Sequence, residues 1–271
     1  MSTPWRLPDV ADVGFDAPFR WLAGGWADLW RTPGPCLAYG FGVSALLAAA
    51  AWGLYASSLA FWAVIAALGL VLVAPILAMG PYEAGRRIEA GEPVRLGRIV
   101  LVRTALRPDV FLLGVALFLI FSIWLQAAQI VYGLSTYQLH DTLPEFLAFA
   151  LGTGEGRRML VAGGLAGGVI AFAAYTLVVV SAPMLLDPRY DVFMASVTSV
   201  RTVLRNPGPM MLWAFVVAAL VLGSVATGFV AMIVVLPWLG LASRRAFRAL
   251  VVPHEAAAAT GPAGEGAEVR P

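Results

Sequence analysis

A chain of 271 residues that is 60% hydrophobic and only 13% charged, with a mean hydropathy of +0.83, lies outside the range of soluble domains, in which about a quarter of residues are charged. A formal charge of +2, with no basic stripe interleaved with stacking aromatics, excludes the electrostatic footprint of a nucleic-acid binder. The one cysteine, Cys36, excludes an intramolecular disulfide and a cysteine metal cluster, and it reads as a small packing residue.

The first thirty residues, with Asp9, Asp12, Asp16 and Asp28 among tryptophans and prolines, lack the basic-then-apolar layout of a signal peptide. Residues 1–18 read as an N-terminal cytoplasmic segment ahead of a membrane domain over 19–251. A hydrocarbon core of about 30 Å takes roughly 20 helical residues, and apolar runs without period-2 alternation point to helices rather than a barrel. In chain order the spacing predicts an amphipathic helix over Phe19–Arg31, spans over Pro35–Leu54 and Leu59–Met79, and a second amphipathic helix over Val94–Arg107. A span over Val110–Gly133 follows, then an outer segment over Leu134–Arg158 with a surface helix at Pro144–Leu151, and a span over Met159–Ala182. The third amphipathic helix is Tyr190–Arg205, on which Val192, Phe193, Ala195, Val200, Val203 and Leu204 recur at roughly helical spacing. Residues 252–271, rich in Ala, Gly and Pro, read as a disordered tail.

The run 210–240 is too long for one ordinary span, since 31 helical residues extend about 46 Å, and Gly223–Gly228 offers a turn. Positive charge marks the cytoplasmic side. Six spans with the N-terminus inside put sixteen of the eighteen basic residues, all arginines, on that side and leave Arg157 and Arg158 outside, whereas five spans give twelve against six. The sequence therefore predicts two short final spans, about 208–222 and 227–241, and both termini in the cytoplasm. The absence of lysine fits a GC-rich bacterial genome and carries no functional weight.

Three stretches share a pattern: RTPGPCLAYG at 31–40, RPDVFLLGVA at 107–116 and RNPGPMMLWA at 205–214. Pro33, Pro108 and Pro207 each follow an amphipathic segment and open an apolar run, at a helix position where the amide hydrogen that proline lacks has no intrahelical partner. Pro75, Pro183 and Pro237 sit near the end of each returning run. The expected fold is thus all-α, a polytopic membrane bundle of six helices in three parallel hairpin repeats, about 19–92, 93–189 and 190–251, each preceded by a cytoplasmic-side amphipathic helix. Its arginines would reach lipid phosphate, and Trp21, Trp26, Trp30 and Trp238 fit interfacial anchors.

The interface segment Ser199-Val-Arg-Thr-Val-Leu-Arg-Asn-Pro-Gly-Pro209, the segment Gly80-Pro-Tyr-Glu-Ala-Gly-Arg-Arg-Ile-Glu-Ala-Gly-Glu-Pro93 and the Leu-Leu-Asp-Pro-Arg turn at 185–189 resemble the bacterial integral membrane family known as domain of unknown function 2189. The likeness runs over about residues 20–250. It implies a multi-span inner-membrane protein and no particular chemistry. Some family members carry a cytochrome oxidase label, which this chain contradicts: a haem–copper core needs several histidines within spans, and His140 and His254 fall in a loop and the tail.

No ionisable residue falls inside the six predicted spans, which argues against proton relays and coupled-ion sites. Gln126 and Gln129, three residues apart on one helix face, are together with Tyr175 the candidates for a polar pore, or else for interhelical packing. Gly163, Gly164, Gly167 and Gly168 form two overlapping GxxxG pairs suited to close helix packing within a protomer or across a homodimer. Glu83 with Arg86 and Arg87 reads as a solvated interfacial ion pair. Pro81-Tyr-Glu-Ala-Gly-Arg86 also matches the carrier signature Pro-x-acid-x-x-base, but the other units do not repeat it. His140, Asp141 and Glu145 make a poor metal set on a solvated loop, and no nucleophilic triad or phosphate-cradling glycine loop is visible. The sequence predicts no cofactor, no catalysis and no nucleic acid. Its expected contacts are membrane lipids and a larger membrane complex or a second copy, as an accessory or assembly protein. A passive transporter or channel around the three-repeat axis is the alternative, and a lipid-modifying enzyme a third.

Overall fold

The structure, a computed structural model, describes residues 7–57, 65–66, 70, 74–138, 140 and 142–252. Pro33, Pro108 and Pro207 each take the first position of a long apolar helix: α2 (Pro33–Ala56), α5 (Pro108–Ser135) and α10 (Pro207–Ala226). The missing N–H costs nothing there, and the fixed φ suits a first turn. Together with Gly154–Met184, these are the four described helices long and apolar enough to cross a membrane. Of the predicted span Leu59–Met79, only 65–66, 70 and 74–79 are described; 65–66, 70 and 74–77 are helical, and Met79 opens the next helix. The rest of that expectation lies outside the described residues.

Helices α1 (Ala17–Arg31) and α9 (Val192–Arg205) precede α2 and α10. In α9 the Asp191 carboxylate caps the first turn by accepting from Met194 N at 2.7 Å. The buried face of α9 is its small and hydroxylated one, Ala195, Thr198, Ser199, Thr202 and Val203, while Phe193, Val197 and Leu204 point outward. Phe19, Trp26 and Trp30 are likewise exposed on α1. Both helices thus turn several large apolar side chains away from the protein. Trp21 departs from the anchoring expectation: it is buried, edge-on to Trp213 at 5.6 Å.

The segment before α5 differs from the single amphipathic helix expected over Val94–Arg107. It forms the five-residue α4 (Leu96–Val100), preceded in the chain by α3 (Met79–Glu89), and then a 3-10 turn at Arg103–Leu106. Val100, Val102 and Thr104 are β-branched and weak in helices. Arg107, preceding a proline, is forced into extended backbone at ψ 147.

After α5 come α6 (Leu143–Gly152), α7 (Gly154–Val178) and the short α8 (Ser181–Met184), which precede α9 in the chain, and α11 (Met232–Leu250) closes the bundle. Helix α11 is the hub, packed against α1, α2, α3 and α10. The approach is close because small residues face it. A Cβ on Gly25 would sit 2.7 Å from Ala242 N, and one on Gly40 would run into the Ile233 carbonyl. Between α10 and α11 the chain reverses through Gly228 and Phe229, both at positive φ (62° and 69°). Phe229 is an unusual residue for that region, and Ser44 Oγ donates to its carbonyl at 2.6 Å.

The class is all-α as expected, with one two-residue strand pair beside the helices among the described residues. Strand β1 (Asp9–Val10) pairs antiparallel with β2 (Val251–Val252), Val10 opposite Val251. The N-terminal segment continues along α9, with Val13 N donating to Asn206 Oδ1 at 2.9 Å and Asn206 Nδ2 to the Ala11 carbonyl at 3.0 Å. Residues 9–13 are therefore docked on the fold, and residue 252, where the tail was expected to begin, lies in β2. Beta-branched valines at both ends favour the pairing.

Candidate functional site

The arginine-bearing end of the bundle is knit by ion pairs that sequence spacing only partly indicates. Glu83 on α3 is buried and accepts from Arg86 through two bonds (2.7 and 2.8 Å) and from Arg87 Nε (2.8 Å). Arg87 Nη1 also lies 3.1 Å from Glu92. This corrects the reading of a solvated pair: the carboxylate is inside, and two guanidiniums are turned onto it because water is not there to answer it. Burial by itself pushes the Glu83 carboxyl upward, but the hydrogen bond and charge of Arg86, and those of Arg87, outweigh it and hold Glu83 below the ordinary glutamate range.

Two further pairs join distant elements. Arg244 on α11 is buried, bonds to Glu89 (3.0 Å from Nη2) and the Pro183 carbonyl, and lies over the Phe247 ring at 5.1 Å. Arg245 meets the buried Asp28 of α1 through two bonds of 2.6 and 2.8 Å, and Arg31 shares that carboxylate at 3.0 Å. The basic corners are bound likewise. Arg107 pairs with Asp109 at 2.9 Å and reaches the carbonyls of Leu185 and Asp187, while Arg205 pairs with Asp12 at 2.7 Å. Each of these corners thus carries its own acid, and Arg31 and Arg205 stay more than half exposed beside theirs. Asp28, Glu89, Arg244 and Arg245 were not singled out in the sequence. An acid set among apolar residues, as Asp28 is in α1, was the one signal available.

An apolar cavity of about 510 Å³ is walled by Pro75 and Tyr82, by Tyr175 and Val178 of α7, by Trp213 and Ala218 of α10, and by Leu236 and Ser243 of α11. Its surface is carbon almost throughout. Tyr175 OH is turned to the Met210 carbonyl at 2.7 Å. Gln126 and Gln129 are not part of this wall; both are exposed on the outer face of α5. The structure thus brings Tyr175 to the cavity and leaves the two glutamines outside it. Pro75 lies in this wall, Pro183 in α8 and Pro237 inside α11.

The glycines of α7 divide into two faces. Gly167 is buried against the Trp124 ring of α5, and Gly163 lies near Val131, while Gly164 and Gly168 face open space. The first pair therefore packs α7 on α5 inside the protomer. Gly167→Leu should drive Trp124 out and lower the melting temperature in detergent by several degrees, whereas Gly164→Leu should leave it within about a degree; a thermal scan of both variants checks this. At the far end of α5, His140 stacks on Phe149 with ring centroids 4.6 Å apart, and its Nδ1 lies 2.8 Å from the Tyr132 hydroxyl. His140 is held by aromatic neighbours rather than solvated. Asp141 lies outside the described residues, and no group of three or more metal-ligating side chains occurs among the described ones.

Residues 62–187 match the family described as predicted integral membrane protein (DUF2189), a little under half of the chain. No curated protein and no solved structure matches. With four helices able to span a bilayer, the match identifies an integral membrane protein whose family description names no activity.

Proposed function

We propose that this is a six-span, non-catalytic protein of the bacterial inner membrane, with both termini cytoplasmic, that holds a lipid-class apolar molecule between its hairpin units as an accessory component of the membrane. The observation that carries the reading is the cavity of about 510 Å³ walled by Pro75, Tyr175 and Leu236, one from each expected returning limb, with hardly a polar atom on its surface. Six spans are supported by the helical residues within 65–77 and by the β1–β2 pairing, which brings the two ends of the described chain together as an even number of crossings requires. The three-unit plan is supported by the shared proline start of α2, α5 and α10. The rival, a passive transporter, needs polar groups along its path. Its best candidates, Gln126 and Gln129, face outward.

Native mass spectrometry of the full chain released from its own membrane should find bound lipid on the wild type. Ala218→Phe, which fills the cavity, should reduce that retention at least about fivefold, while Gln126→Leu with Gln129→Leu should leave it unchanged. Equal retention by wild type and Ala218→Phe would sink the cavity reading. Solute flux through reconstituted vesicles that the glutamine double variant abolishes would install the transporter instead.

A further inference from the structure

Outside the apolar cavity, α3, α4, the 3-10 turn, the turn at 186–189 and α11 enclose a second space of about 600 Å³ whose wall holds Arg86, Arg87, Arg98, Arg189 and Arg244 with Glu83 and Asp187. Most of this positive charge is answered within the protein. Glu83 takes Arg86 and Arg87, Glu89 takes Arg244, Asp187 takes Arg189, and Glu92 lies beside Arg87. Five guanidiniums thus face four carboxylates. Arg98 is the one left over: it lines the cavity, is exposed to it, and makes no ion pair among the described residues. In the same wall the Thr104 hydroxyl oxygen is buried with no hydrogen-bond partner among the described residues.

A buried hydroxyl without a partner calls for a further group to complete it. Arg86 and Arg87 each carry five N–H donors, and their bonds to Glu83 and Glu92 engage only part of each fork. The cavity therefore offers surplus donors from three arginines and one hydroxyl, with one positive charge uncompensated. A carboxylate offers two acceptor oxygens, and the local carboxylates are already engaged. A phosphate group presents three or more, carries the negative charge required, and matches the arginine fork in shape. We propose that this cavity binds a phosphate-class anion, with Arg98 and Thr104 as its dedicated donors and Arg86 and Arg87 contributing their unengaged N–H groups. The inference stands independently of the apolar-cavity reading, since the two walls share no residue.

Phosphate chemistry reaches a membrane protein either as a lipid headgroup or as a free ion or ester, and two arms separate the sources. The full chain in nanodiscs of neutral lipid is titrated with inorganic phosphate by calorimetry, and the chain in nanodiscs doped with phosphatidic acid is assayed by native mass spectrometry. Binding in at least one arm is expected, and Arg98→Gln should weaken it at least about tenfold there. Thr104→Val should weaken it several-fold. Arg95→Gln should leave it unchanged, since Arg95 is another arginine without an ion pair among the described residues and lies outside the wall. Saturation by inorganic phosphate identifies a free anion, and retention of phosphatidic acid alone identifies a headgroup. Binding in neither arm, or equal losses in the Arg95 and Arg98 variants, would overturn the proposal, the latter by reducing it to general surface attraction. Arg98 is exposed and makes no ion pair among the described residues, so its replacement is expected to leave the fold intact, and a melting curve within about a degree of wild type verifies that.

Discussion

Replacing Glu83 by Gln is expected to destabilise the protein by about 3 kcal/mol, the lower end of what breaking a buried ion pair costs. Two guanidiniums are oriented onto this one carboxylate, whose side chain is 8% exposed. With the charge removed, Arg86 and Arg87 face each other's positive charge across an amide that cannot answer both. Glu92 is the control: its side chain is 44% exposed, so Glu92→Gln should cost under about 1 kcal/mol. Thermal or denaturant unfolding in detergent compares the two, and equal losses would show that the Glu83 cluster is no stronger than a surface pair. The same carboxylate sets a pH dependence. Its folded-state ionisation lies below the ordinary glutamate value of about 4.3, so the unfolded chain binds the proton more readily than the folded one. The stabilisation is complete above that ordinary value and fades as the pH falls through the lower, folded one. Wild type should therefore lose stability on acidification below about pH 4.3 in a component that Glu83→Gln lacks.

Gly40→Ala should be as damaging from a single methyl group. The added carbon would meet the Ile233 carbonyl oxygen, with the carbonyl carbon 2.8 Å away and Ile233 Cα 3.1 Å away. These are backbone atoms of the hub helix, and they cannot swing aside as a side chain does. Relief requires α2 and α11 to separate, which also loosens the Ser44 bond to Phe229 one turn further along. A cost above about 2 kcal/mol is expected, in the upper range of overpacking. Gly42, two residues on, has nothing within reach of a new Cβ. There Ala should be neutral or stabilising by up to about 1 kcal/mol from helix propensity alone. Opposite signs from the same substitution on one helix, read as melting temperature and as the fraction of monodisperse protein, would establish that the close approach to α11 sets the position of α2. Equal effects would remove it.

The features legible in the sequence are the local ones. Proline at a first helical turn and an apolar run of twenty residues are consequences of backbone chemistry within a few positions, and α2, α5 and α10 start at the prolines so marked, whereas α9 starts at Val192 rather than the expected Tyr190, where Asp191 caps it. The periodicity that sets Gln126 and Gln129 on one face does not say whether that face looks inward, and it looks outward. Two GxxxG frames overlap on α7, and spacing cannot choose between them; the bulk of Trp124 does. Arg244 finds Glu89 across 155 residues and Arg245 finds Asp28 across 217. No local pattern encodes such pairings, so most of the polar architecture is visible only once the helices are assembled.

The hub of this bundle is also its last helix. During synthesis α1, α2 and α3 leave the ribosome with the glycine faces that meet α11 uncovered and Asp28 held by Arg31 alone, and they stay so until Met232–Leu250 has been made. Strand β1, among the first described residues, then waits for β2, among the last. Assembly is therefore gated by chain completion: a nascent protein stalled before residue 232 holds its earlier helices without the one they pack on.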